Sequence, residues 1–209
     1  IFRILAAVLI SIGAADASEL IVVGDGAEWI WDRVPGLIEK VGFDAKRVTE
    51  VLDFYHACEH LHEIATHVRG WTEGQKKAWF HRMRHLMRHD KVDKVLDDTR
   101  RLCVGRNAKH IRRGLTYFES RRHRLAYAAF KKRGIPLGSG AVESAVRRVV
   151  NLRLKGNGIF WTESNAEGVL HLRAQFLAGR WHEFVRCVLD HEVFWSTHSG
   201  STSELRKAA

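Results

Sequence analysis

Two short β-branched runs, each closed by an aspartate and each followed by a helical pattern, constrain the fold of this chain more than any other feature. The first is "LIVVG", residues 20–24, followed by Asp25. The second is "RVTEVLDF", residues 47–54, whose apolar stretch ends at Asp53. A Val/Ile-rich run that stops at glycine reads as a buried strand feeding a turn. Between the two runs, "AEWIWDRVPGLIEKV" sets Trp29, Ile30, Val34, Leu37, Ile38 and Val41 at helical spacing, with Pro35 and Gly36 predicting a kink or break. The pattern is a β-α-β-α unit. In open sheets of this kind ligands sit at the carboxyl ends of the strands, which is where both aspartates fall.

Beyond His56 the pattern changes. Apolar residues recur three and four apart among Lys, Arg and His as far as Phe130, and no strand pattern interrupts them. "KKRGIPLGSG" then breaks the helices, and a new helix is predicted from about Ser139, a serviceable N-cap, carrying Glu143. "LRLKGNGIFW" reads as a glycine-punctuated basic loop. Two amphipathic helices over about 162–178 and 180–194 precede a polar tail, "STHSGSTSELRKAA", expected to be disordered over 196–209. The organisation is therefore α/β and helix-rich: a strand-bearing segment at 1–70, a large all-helical insertion at 71–133, and C-terminal core helices at 134–195.

Charge narrows the partners. Thirty-four Lys and Arg against 24 Asp and Glu leave a formal net charge of +10, which favours a polyanion because basic surface displaces the counterions condensed on phosphates. With 45% hydrophobic residues and two prolines, a disordered basic tail is excluded. Three cysteines without close spacing exclude a disulfide framework and a zinc ribbon, and point to a reducing, cytoplasmic setting. The opening "ILAAVLISIGAA" followed by "ADAS" imitates a secretory signal. It is too short to span a membrane, and a chain that begins at Ile1 is more simply a fragment.

The chemistry rests on acids. His62, Glu63 and His67 imitate a zinc-protease helix, but their histidines are five residues apart and so diverge on a helix of about 3.6 residues per turn. His56 and His60 are four apart and could share a metal, although a helix in so His-rich a chain is more simply solvated. Asp25 and Asp53 end strands, and Glu143 opens a helix. Carboxylates gathered from separate elements repel one another unless a hard cation lies between them, which suits Mg²⁺ or Mn²⁺ and metal-assisted phosphoryl transfer. Around Glu143, Arg147, Arg148, Arg153 and Lys155 are placed to hold phosphates and Trp161 to stack on a base.

"VVGDGAEWIW", "VLDFYHACEHL" and "IPLGSGAVESAVRRVVNLRLKGNGIFW", with the trailing "HLRAQFLAGRWHEF", resemble the successive motifs of bacterial insertion-sequence transposases of the ISKra type. The likeness runs from about residue 18 to residue 190. Asp53-Phe54-Tyr55-His56 also resembles the Asp-x-x-His signature of Mutator-like transposases. The resemblance implies a partial ribonuclease-H-like core, strand cleavage and joining at insertion-sequence ends, DNA ends and target as partners, and a homo-oligomer without membrane association. It makes Asp25 the second and Glu143 the third metal-binding acid of a two-metal Mg²⁺ or Mn²⁺ site, with Asp53 and His56 an auxiliary catalytic pair. The family's first acid precedes the "GDGA" strand and has no counterpart here, so the chain is expected to be truncated at its N-terminus and inactive alone. A non-catalytic nucleic-acid-binding helical module is the alternative, and a secreted helical protein a distant third.

Overall fold

The computed structural model describes residues 2–106, 108–156 and 158–198, with side chains as far as 190. Two compact units divide the chain, Ile1–Ser139 and Gly140–Ala209.

The first unit is built on two parallel strands, β1 (Leu20–Gly24) and β2 (Val48–Leu52), in register from Leu20 opposite Val48 to Gly24 opposite Leu52. Both strands stand where their β-branched runs predict them. Successive side chains of a strand point to opposite faces, and each face has its own cover. Leu20, Val22 and Val48 pack with helix α1 (Phe2–Ser11) and helix α3 (Val34–Val41), around buried Ala6, Trp31, Leu37, Ile38 and Val41. Val23 and Val51 face a larger core supplied by the helices that follow. β1 is less deeply buried than its sequence suggests, because Ile21 remains 37% exposed.

Pro35 does not kink a continuous helix. A short helix α2 (Glu28–Trp31) ends at Asp32, and Pro35 is the second residue of α3, where its missing N–H has no intrahelical acceptor to lose. Gly36 lies inside α3.

Five helices complete this unit: α4 (Phe54–His67), α5 (Glu73–Arg88), α6 (Val92–Arg101), α7 (Ala108–Ser120) and α8 (Tyr127–Lys132). Each offers the core one stripe at helical spacing, such as Phe54, Ala57, Cys58, Leu61, Ile64 and Ala65 of α4. α5 opens on a capping box formed by Thr72 and Gln75. α7 approaches α4 at a glycine: a Cβ on Gly114 would lie 2.5 Å from Ile64 Cγ1. One hydrophobic cluster runs from Val51 to Ile135, so the helical segment predicted at 71–133 folds together with β2 and α4.

The second unit begins with α9 (Gly140–Val146), passes through a wider turn at Arg147–Asn151 into the single turn α10 (Leu152–Leu154), and ends in α11 (Glu163–Leu177) and α12 (Trp181–His198). Thr162 caps α11 by accepting from the Asn165 N–H, and Arg173 Nε donates to the Arg148 carbonyl at 2.5 Å. The two helices predicted at 162–178 and 180–194 are present. No described residue of this unit is buried, and Phe176 is 63% exposed. The disorder expected over 196–209 does not begin at 196, because residues 196–198 continue α12, and residues 199–209 lie outside the described residues. Among the described residues no helix is long and apolar enough to cross a membrane.

Candidate acidic site at the strand ends

In-register pairing brings the two aspartates to neighbouring strand ends. Gly24 and Leu52 are partners, and the Asp53 N–H donates to the Gly24 carbonyl at 2.7 Å. From this shared edge the two side chains go to different environments.

Asp25 is exposed, and its Oδ1 accepts from the Ala27 N–H at 3.0 Å, an Asx turn that bends the chain into α2. Gly26 follows with φ 79°, and a Cβ there would lie 2.5 Å from Tyr117 Oη. Glycine is needed for the left-handed backbone and for that close approach. The turn is held from the other side by α7. Tyr117 Oη donates to the Asp25 carbonyl at 3.2 Å. Arg121, 8% exposed, donates to the Gly26 carbonyl from Nε at 3.0 Å and Nη2 at 2.7 Å. Its Nη1 donates to the Tyr117 carbonyl at 3.2 Å and to Ser120 Oγ at 2.8 Å. Glu28 approaches Nη2 at 3.5 Å. A buried guanidinium is tolerable only when its donors are satisfied in this way.

Burial pushes the Tyr117 phenol up to about 12, so it remains a neutral donor. His60 lies against the Tyr117 ring, with centroids 3.8 Å apart, and burial holds its imidazole below the ordinary value. A cleft of about 840 Å³ opens beside the turn, lined by Asp25, Trp29, His60, His110, Arg113 and Arg121 among others.

Asp53 is 0% exposed and is the N-cap of α4. Oδ1 accepts from the Tyr55 N–H at 2.7 Å and the His56 N–H at 3.3 Å. Oδ2 accepts from both the N–H and the hydroxyl of Ser139, each at 2.6 Å. Burial alone would raise its pKa, but these hydrogen bonds outweigh it and hold the carboxyl below its usual range. A second strap runs alongside, the Phe54 N–H donating to the Leu137 carbonyl at 2.7 Å. Gly138 lies so close that a Cβ would meet the Tyr55 ring at 2.7 Å. One carboxylate thus joins the start of α4 to a segment 86 residues downstream.

A carboxylate has about four lone-pair sites, and those of Asp53 are all engaged by protein donors. Asp53 as it stands serves as a structural clip, whereas Asp25 keeps Oδ2 open at an exposed strand end. His56 Nδ1 lies 3.0 Å from Glu59 Oε2, and an imidazole nitrogen of His56 comes within 4.8 Å of an Asp53 carboxylate oxygen. His60 Nδ1 is 3.6 Å from Glu63 Oε2, so each of the two histidines four apart is matched to the glutamate one turn on. Among the described residues of the first unit, Asp25 belongs to no cluster of three metal-binding side chains. All three cysteines are free thiols, and burial pushes the Cys58 thiol up to about 11, which removes it as a nucleophile.

The remaining predicted site residues belong to the second unit. Glu143 is exposed in the first turn of α9. Arg147, Arg148, Arg153 and Lys155 are exposed around the wider turn and α10, and Trp161 is 41% exposed just before α11.

Tyr117 and Arg121 were not legible as site residues. One signal pointed to Arg121: it continues the buried stripe Ile111, Gly114, Leu115, Phe118 of α7, and a charge in register with an apolar stripe requires a buried partner. No family model, no curated protein and no solved structure matches this chain.

Proposed function

We propose that this chain is catalytic-domain sequence of a DNA transposase, of the ISKra type and with a partial ribonuclease-H-like core, that cleaves and joins strands at insertion-sequence ends by metal-dependent phosphoryl transfer. One observation carries the reading. Ser139, immediately before the Glu143-bearing helix, is hydrogen-bonded twice to Asp53, and Asp53 follows the strand paired with the one that leads to Asp25. The three motifs that resemble the family thus converge on one strand edge through contacts inside the first unit.

In this proposal Asp25 and Glu143 are the protein's ligands to Mg²⁺ or Mn²⁺, in a site of two-metal type when complete. A cation held there would supply activation of the attacking oxygen and stabilisation of the leaving one. The residues around it have separate tasks. Arg121 and Tyr117 fix the Asp25 turn, Asp53 fixes the entry to the Glu143 helix, and His56 sits beside it as the auxiliary polar group. Arg147, Arg148, Arg153 and Lys155 hold backbone phosphates while Trp161 stacks on a base. These contacts position a DNA end without reading its sequence. The partners are then donor ends, target DNA and further copies of the chain, in a bacterial cytoplasm.

The test is Mg²⁺-dependent strand cleavage by the protein expressed from its full reading frame. Asp25→Asn and Glu143→Gln should each lower the cleavage rate by about 10²-fold or more, the scale of a lost charge-stabilising group. Undiminished cleavage by either variant removes that residue from the catalytic role.

A second reading is a non-catalytic nucleic-acid-binding module. It is favoured by the saturated Asp53 carboxylate and by the +10 net charge, which needs no metal to act. DNA binding that is indifferent to EDTA, with no cleavage, selects it.

A further inference from the structure

α5 is unusual in its charge pattern. Glu73, at its first position, is its one carboxylate, and that group is held by Lys76 Nζ at 2.7 Å. Arg82 reaches Asp98 on α6 at 2.8 Å. Lys77, Arg84 and Arg88 have no carboxylate within ion-pair distance among the described residues. At 100° per residue these three fall with His81 and His85 in one arc of about 100°, with Lys77, His81 and His85 turned away from the buried Trp79, Met83 and Met87, and Arg84, half-buried, at the edge of the arc nearest Met87.

The stripe has a length and a direction. Lys77 to Arg88 covers about 16 Å at about 1.5 Å per residue. A single DNA strand carries one charge per ~3.4 Å, so the stripe matches roughly five consecutive phosphates. Its C-terminal end reaches the start of α4: the Arg84 and Arg88 guanidinium carbons lie 5.9 and 4.9 Å from the Phe54 ring. Phe54 directly follows Asp53. No large exposed apolar residue interrupts this face. A protein partner would need an apolar centre to dock on, whereas nucleic-acid interfaces are polar and strongly positive.

We infer that the Lys77, His81, Arg84 and Arg88 face of α5 is a track for the phosphodiester backbone of DNA, leading it to the strand-end acids. The inference rests on the DNA substrate proposed above, but on residues different from those assigned to phosphate contact there.

Fluorescence anisotropy of the full chain with a labelled 30-base-pair duplex, in EDTA and across a NaCl series, tests it. Each phosphate contact adds about 0.9 to the slope of log K against log[salt]. The triple variant Lys77→Gln, Arg84→Gln, Arg88→Gln should therefore lower the slope by about 2.7 and weaken binding at 0.1 M NaCl by about 500-fold. The charge-keeping triple Lys77→Arg, Arg84→Lys, Arg88→Lys should retain the slope. The paired control Arg82→Gln, Arg100→Gln should leave it within half a unit. If the Gln triple does not fold, Lys77→Gln and Arg88→Gln measured singly should each remove about 0.9.

An unchanged slope in the triple, or in both singles, overturns the track. Equal binding of poly-glutamate through the same residues makes the face an acidic-protein site and overturns it too. Cleavage does not enter this readout, so the two proposals fail separately. A lost slope without any Mg²⁺-dependent cleavage retains the track and sinks the transposase chemistry. Cleavage with an unchanged slope does the reverse.

Discussion

Asp53 and Arg121 are the two buried charged side chains that organise the strand edge, and each acts by closing a hydrogen-bond set. Replacing Asp53 by Ala would remove the carboxylate that accepts from Ser139 and from the first-turn N–H groups of α4. The expected loss is about 2–3 kcal/mol in urea unfolding, combining a lost N-cap with the loss of the charged hydrogen bonds that join it to Ser139. The same carboxylate gives an acid dependence. Its folded pKa lies below its ordinary value, so its contribution is complete above the unfolded carboxyl pKa of about 3.9 and disappears as pH falls through the folded value. Wild type should therefore lose stability below about pH 4 more steeply than Asp53→Asn, measured as urea midpoints between pH 2 and 6.

Arg121→Met should speed amide exchange across Asp25–Glu28 and lower stability by about 2 kcal/mol, with Arg121→Lys restoring only part because an ammonium cannot present two donors in a planar fork. The aspartates were legible because each ends a β-branched run. Their opposite environments were not, because the partners of both lie far along the chain: Ser139 for Asp53, Tyr117 and Arg121 for Asp25.

At the scale of elements, local pattern carried well where burial is one-sided. β1, β2 and the helical character of the stretch from His56 to Phe130 follow from period, because one stripe or face of each element meets a core, while the division of that stretch into α4 to α8 does not. Pro35 shows the limit. The same residue reads as a breaker or as a starter, and what decides is the preceding turn at Asp32–Arg33, which sets it at the beginning of α3. Helix-to-helix distance is also invisible to periodicity. Nothing in "HIRRGLTYF" announces that Gly114 touches Ile64 of α4. Gly114→Val should force the two helices apart and cost roughly 2–3 kcal/mol, read as a lowered melting temperature, with Ile64→Ala in the same chain recovering part of it.

Across the whole molecule the two units differ in kind. The first contains both hydrophobic clusters, while the described part of the second has no buried residue. Residues 1–139 expressed alone should therefore melt cooperatively, within about 5 °C of the full chain by circular dichroism, since both cores are already within them. A non-cooperative melt would show that the first unit depends on the second. The boundary itself was half legible: Gly134, Pro136 and Gly138 mark a break, but the division falls after Ser139 because Leu137 and Ser139 are hydrogen-bonded back to α4.

That attachment should make the molecule tolerant of an interruption elsewhere. Leu137 and Ser139 are fastened to the head of α4, and α4 itself is embedded against α5, so the connection around Gly70 is not the sole link between the segments on either side of it. Two separately produced pieces divided there, 1–70 and 71–209, should find each other and rebuild the strand edge when mixed, a property that would let either piece be labelled, exchanged or withheld at will.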